Sequence, residues 1–306
     1  MATSEVTQPE AIRDARRRQP GLFGSISPSS PWYWLRVLAE NKAALASGIF
    51  VLLVVVVALL APLIAPHSPT TVDPINRLKP PSSAFFFGTD TLGRDSFSRT
   101  IYGARISLLV GVSVMAASTI LGALIGLVSG YYSRLDTPIM RVMDGLMAFP
   151  AILLAIAIMA SLGPKTINVI VALTVVYTPR MARLVRGMTL QIRDLPYVES
   201  AKSIGLSDTL ILVRYVLKNS LSPVIVQATF TVAYAILAEA SLSFLGAGVP
   251  PEIPTWGNML QDGQRLITRA WWLSVFPGVA LFLTVLTLTL FGDGLRDALD
   301  PRARER

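Results

Sequence analysis

Six uncharged apolar runs, each bounded by charge or turn residues, constrain this chain more than any other feature. They cover residues 43 to 66, 106 to 133, 145 to 164, 166 to 179, 219 to 238 and 270 to 292. A bilayer core needs about 20 apolar residues per crossing helix, so five runs are long enough. The fourth has only 14 residues before Arg180. It spans if the helix continues through Arg180 and Arg183, whose long side chains can reach toward the interface. The fifth run continues past Glu239 to Gly246. The expected fold class is therefore an all-α integral membrane protein with six transmembrane helices.

Composition agrees. Of 306 residues, 52% are hydrophobic and only 15% charged, against about 25% charged in a soluble domain. There is no cysteine, which excludes disulfides, thiol catalysis and thiolate metal sites. The formal charge of +8 does not point to nucleic acid, because basic residues on a membrane chain mark cytoplasmic loops. With the N-terminus inside, 19 of the 27 Lys and Arg residues fall on the inner side and 8 on the outer. That bias predicts both termini in the cytoplasm.

The organisation follows from these runs. Residues 1–30, rich in Ser, Pro, Gln and mixed charge, read as a disordered cytoplasmic tail. Residues 31–66 hold an interfacial segment, with Trp32, Tyr33, Trp34, Leu35 and Leu38 beside Arg36 and Lys42, and then the first span. That span is too long and too far in for a cleaved leader, so a signal anchor is expected. Residues 67–102 form a Pro-rich extracytoplasmic segment, 103–297 the transmembrane domain, and 298–306 a cytoplasmic tail. A second outer loop runs from about 247 to 269.

No catalytic apparatus stands out. GxxxxGK[ST], HExxH and GxSxG are all missing, and the single histidine, His67, has no companion at ligand spacing. Asp293, Asp297 and Asp300 interleave with Arg296 and Arg302, which reads as an ion-paired helix end rather than a cation site. Gly122, Gly126 and Gly130 make a GxxxGxxxG ridge suited to close helix packing, with a pore-lining role as the alternative. Asp144 and Glu239 are the acidic residues nearest lipid depth; each is either a gate or pathway group or a satisfied structural hydrogen bond.

The inner loop between the fourth and fifth spans, within residues 194–219, carries most information. Asp194 and Pro196 open a helix of about nine residues, and Gly205 closes it in a position suited to left-handed backbone. Ser207 and Asp208 then suit the exposed amides of a second helix running toward Asn219. In the first helix Tyr197, Ala201 and Ile204 share one face at i, i+4 and i+7, while Glu199, Lys202 and Ser203 face elsewhere. A helix this short is unstable alone in water, so it docks on something, either another protein surface or the bilayer.

Glu199-Ser200-Ala201, then Gly205, with Leu217 twelve residues on, resembles the EAA loop of ABC-importer permeases. Other stretches are similar to the C-type subunit of the dipeptide/oligopeptide/nickel branch of that family. They include Phe87-Gly88-Thr89-Asp90, Gly93-Arg94-Asp95, Gly103-Ala104-Arg105-Ile106-Ser107-Leu108 and Met140-Arg141-Val142-Met143-Asp144 with Phe149-Pro150. The series continues with Glu239 to Gly246, Trp256 to Leu260, Gly292 to Asp297, and Asp300-Pro301. Three positions depart from the pattern: Ser200 for alanine, Lys218 for proline and Thr289 for asparagine. Without that proline the second inner helix can run straight into the fifth span.

The resemblance implies a permease subunit that binds no cofactor itself, ATP and Mg being held by partner ATPase subunits. Its implied partners are a homologous second permease, cytoplasmic ATPases, an extracytoplasmic substrate-binding protein and membrane lipid. Peptides, as di- or oligopeptides, are the implied default cargo, with nickel, glutathione-like compounds and haem open as alternatives. Coupling to the ATPase would fall on Tyr197, Glu199, Ser200, Ala201, Lys202, Ile204, Gly205 and Asp208. Moving a two-state bundle from 1:99 to 99:1 takes about 5.5 kcal/mol, so such a lever must be firmly held. The alternative class is an ion-coupled secondary carrier in which Asp144 or Glu239 binds the proton or sodium; an intramembrane hydrolase lacks a visible nucleophile and base.

Overall fold

The computed structural model describes residues 33–299, and they are helical apart from connecting segments and one isolated bridge between Thr89 and Asp95. The expected tail 1–30, Trp32 and residues 300–306 lie outside the described residues. A short helix α1 (Tyr33–Glu40), carrying an Arg36–Glu40 pair at 2.9 Å, leads into α2 (Lys42–Leu59) and a turn of helix α3 (Ala61–Ile64). Asn41 caps α2 by accepting from the amides of Ala43 and Ala44. After the outer segment come α4 (Ser96–Tyr131), α5 (Ser133–Met147), α6 (Ala151–Leu162) and α7 (Thr166–Ile192). Two short helices, α8 (Pro196–Ser203) and α9 (Asp208–Ile211), precede α10 (Lys218–Phe244), α11 (Trp256–Gln264) and α12 (Trp272–Leu299).

Among the described residues five helices are long and apolar enough to cross a membrane: α2, α4, α7, the run from Asp208 to Phe244, and α12. Counting one bent helix pair as a single span makes up to six. Helices α5 and α6 meet at 92° across a break at Pro150. Proline lacks an amide donor and pushes its predecessor, Phe149, out of helical conformation, so the chain turns there. With 12 residues α6 is about 18 Å long, too short to cross alone.

Two boundaries differ from the apolar runs. Helix α4 begins at Ser96, ten residues before the uncharged stretch, so a domain boundary at 102/103 falls inside it. It can start early because Arg99 is 1% exposed, buried against the outer segment instead of lipid. Helix α7 continues through Arg180 and Arg183 to Ile192, as the length argument requires of a fourth span.

The bundle is organised around α4. Gly122, Gly126 and Gly130 face α7, and a Cβ on them would come within 2.6 Å of Met181 Cβ, 2.5 Å of the Ala182 carbonyl and 2.6 Å of Thr189 Cβ. The backbones are that close because the ridge has no side chains. The partner residues advance in the same direction along both helices, so α4 and α7 run parallel. On its other side α4 packs on α10, with Val110 and Val114 in one core cluster and Ala104 beside Ile236 and Trp256 in a second. Helix α2 leaves Ile49, Leu52, Leu53 and Leu59 exposed, a surface fit for lipid.

At the end of the bundle where α4 starts, residues 67–95, the segment expected to be extracytoplasmic, fold back over the bundle. Trp272 Nε1 donates to the Thr89 carbonyl at 3.2 Å, and Trp256 Nε1 to the Thr100 carbonyl at 3.0 Å. Arg94 Nε reaches Asp90 Oδ2 at 2.6 Å, and Arg99 Nε lies 3.6 Å from the same oxygen. Asp262 of α11 approaches Arg94 at 3.7 Å. Burial raises the Asp262 carboxyl pKa, and the nearby Arg99 and Arg94 oppose that shift. His67 stacks on Phe85 and sits 3.6 Å from Asp95, a local contact of the outer segment.

Candidate coupling surface and membrane-embedded polar groups

Helix α8 opens at Leu195, with Pro196 in the first turn, and no side chain caps it; Asp194 instead lies 3.3 Å from Arg193. It ends as the glycine predicts. Gly205 has φ +82°, its amide donates to the Lys202 carbonyl at 2.9 Å, and the Leu206 amide to the Ala201 carbonyl at 3.2 Å. These are the paired bonds of a Schellman closure, which requires left-handed backbone at that position. A Cβ on Gly205 would meet nothing within 4 Å, so backbone strain alone selects glycine there.

The expected shared face of Tyr197, Ala201 and Ile204 is divided. The anchors are Val198 and Ala201, buried in a cluster with Leu127, Met181, Val185, Ile192, Ile211, Val216 and Val224. Tyr197 is 44% exposed and Ile204 79% exposed. The Tyr197 ring sits 6.1 Å from Tyr215, while Glu199, Ser200 and Lys202 point outward from the helix and Ser200 Oγ donates to the Pro196 carbonyl. The missed anchor, Val198, was available as an i, i+3 partner of Ala201.

Asp208 does not cap α9, which begins after Ser207 without a side-chain cap. Its carboxylate accepts from Tyr131 Oη at 2.8 Å and Tyr132 Oη at 3.1 Å, which ties the loop to the C-terminal end of α4. That acceptor holds the exposed Tyr132 phenol above its usual range. Lys202 lies 5.2 Å over the Tyr131 ring, Arg193 donates to the Gly130 carbonyl at 2.7 Å, and Arg186 forks onto Asp136 at 2.5 and 2.7 Å. None of these pairings has a sequence signal, because each joins residues dozens of positions apart. The helix from Asp208 to Phe244 is unbroken, with a wider turn at Leu212–Leu217, as the absence of proline at Lys218 allows. Thr289 bonds back to the Val285 carbonyl.

Glu239 is 0% exposed and accepts from Ser107 Oγ at 3.1 Å and Ser243 Oγ at 2.8 Å, joining α10 to α4. Asp144 pairs with Arg183 at 2.7 Å on the surface of the bundle. Near the C-terminus, Asp293 and Asp297 form no ion pair with Arg296 among the described residues, while Asp300 and Arg302, the rest of the expected ion-paired helix end, lie outside them. At that end Gly294 packs on Ala44, and a helix-to-helix approach takes the place of charge pairing.

Residues 91–305 match the model of the binding-protein-dependent transport system inner membrane component family. The chain belongs to that family. Residues 30–81 also match the N-terminal transmembrane domain of oligopeptide transport permease C. A Brucella abortus protein whose name places it provisionally in a peptide transport system is 49% identical over 269 residues, covering 88% of this chain and 91% of that protein. The dipeptide transport system permease protein of Alkalihalophilus pseudofirmus is 43% identical over 277 residues, covering 90% and 91%. A chain of the MetNI methionine ABC transporter, in inward-facing conformations, shares the fold with TM-score 0.54 at 18% identity, over 66% of this chain and 96% of that one. As a family member, the chain is the multi-pass permease subunit of an ATP-driven importer and carries no ATPase site of its own. That decides against the ion-coupled carrier.

Proposed function

We propose that this permease, with a homologous second one, forms a membrane path for peptides and is driven by cytoplasmic ATPase subunits that grip α8. One observation carries the reading: the α8 loop is pinned to the bundle by Val198 and Ala201 and, just beyond it, by the Asp208 bonds to Tyr131 and Tyr132, yet Tyr197 and Ile204, and Val213 in the following turn, stay uncovered. Apolar side chains on a loop rich in Glu199, Ser200, Lys202 and Ser203 are costly in water and useful against a protein groove. A short, firmly held helix transmits a push to α4, α7 and α10 together.

The distribution of Lys and Arg supports both termini and α8 on the cytoplasmic side. The outer segment and α11 then face the compartment from which a substrate-binding protein would deliver cargo. ATP and Mg belong to the ATPase partners. The names of the relatives support peptides as cargo.

The chain lacks cysteine, so Ser203→Cys gives a single reporter. In intact cells an impermeant maleimide should leave it unlabelled, and in inverted vesicles a short thiol crosslinker should join it to the ATPase subunit. Uptake of a labelled dipeptide should persist when ion gradients are collapsed and stop when ATP is removed. Labelling from outside, or crosslinks to lipid alone, would overturn the coupling surface; ATP-independent uptake would overturn the transport mechanism.

A further inference from the structure

Arg180 lies about 21 Å from the start of α7 at Thr166 and about 18 Å from its end at Ile192, counting 1.5 Å per residue. It is exposed half-way along α7, just past the apolar first half of that helix. A guanidinium within a membrane faces the bundle interior, a watery cavity or the interface, and it normally has a partner. Arg183 and Arg186 have theirs in Asp144 and Asp136. Among the described residues no carboxylate lies within ion-pair distance of Arg180; its contact is the face of Tyr234, 5.4 Å away.

The surroundings form a concave site. A cavity of about 360 Å³ is lined by Pro150, Ile152, Leu173, Tyr177, Tyr234 and Ser241. A smaller one of about 170 Å³, which shares Ala151, Val176 and Tyr177 with it, includes Arg180 and Phe149. Both open where the α5–α6 break removes helix from that level of the bundle. Tyr177 Oη donates to the Tyr234 carbonyl at 3.1 Å, which braces the two rings. An apolar, aromatic hollow of this size with one fixed cation at its rim has the make-up of a small-ligand site.

We infer that Arg180, framed by Tyr177 and Tyr234, binds the C-terminal carboxylate of a peptide in transit. Arginine supplies a planar fork that matches a carboxylate, and the bond strengthens away from bulk water. The apolar walls accept side chains without demanding a particular one, as a path for varied peptides requires. Between ligands the guanidinium rests on the Tyr234 face, which lowers the cost of the unpaired charge. The inference rests on the peptide reading above and adds the group that the path recognises.

The test uses the importer assembled with its partner subunits in nanodiscs, without binding protein or nucleotide, and measures equilibrium binding of trialanine and of trialanine amide. Wild type should bind the acid at least tenfold more tightly than the amide. Arg180→Gln should abolish that preference, and Arg180→Lys should retain part of it, which a merely structural arginine would not do. Each variant is first checked for intact assembly by size-exclusion chromatography. Equal affinity for acid and amide in wild type, no peptide binding at all, or a preference that survives Arg180→Gln would overturn the inference. None of those results touches ATP-dependent uptake, so the transport reading stands or falls separately.

Discussion

The two ends of the molecule satisfy their polar and apolar groups in opposite ways. At one end, the segment 67–95, α11 and the start of α12 bury Trp256, Trp272, Asp90, Arg94 and Arg99. At the other end, α8 buries Val198 and Ala201, while Tyr197, Ile204 and, in the following turn, Val213 are exposed. The first end pairs its buried charges within this chain while leaving Val72, Ile75 and Phe86 exposed, whereas the α8 loop is held in place by two buried residues with Tyr197 and Ile204 uncovered. A surface that is positioned but not covered is where a partner acts, so substitutions at the two ends should separate folding from transport.

The largest effect on stability is expected at the first of these ends. Trp256→Ala removes a side chain that is 1% exposed together with its bond to Thr100. It should cost about 3–5 kcal/mol and cut the yield of folded protein, read by thermal unfolding in detergent. Gly205→Val should cost less, about 1–2 kcal/mol, because a β-branched residue must adopt left-handed backbone although space is open. Uptake in that variant should fall far more than folding does. The smallest stability effect is expected for Ile204→Glu, within about 0.5 kcal/mol by the same unfolding assay. Its uptake and substrate-stimulated ATP hydrolysis should nevertheless drop at least tenfold. If Ile204→Glu destabilised the protein as much as Trp256→Ala, or left uptake intact, the contrast between the two ends would not hold.

Much of this was legible in advance. The uncharged runs located the spans, because lipid admits few charges, and the length requirement alone carried the fourth helix through Arg180 and Arg183. Gly205 was legible because only one backbone geometry closes so short a helix before a turn. Val198 was overlooked because Tyr197 and Ile204 are larger and drew the apolar face around themselves. The pairing of Asp208 with Tyr131 and Tyr132 was not legible, since both hydroxyls come from the end of another span. The early start of α4 was hidden for a similar reason: Arg99 is tolerated there only once the outer segment folds over it.

By itself the sequence determined a helical membrane chain, five of its apolar helices, the glycine ridge and the closure of α8. Those depend on local composition, on spacing and on the backbone freedom of single residues. The tertiary structure alone decided which arginine is paired and which is left over a tyrosine ring, and which face of α8 is spent on the bundle. Burial, ion pairing and ring contact are relations between distant segments, and they exist only after the helices have packed.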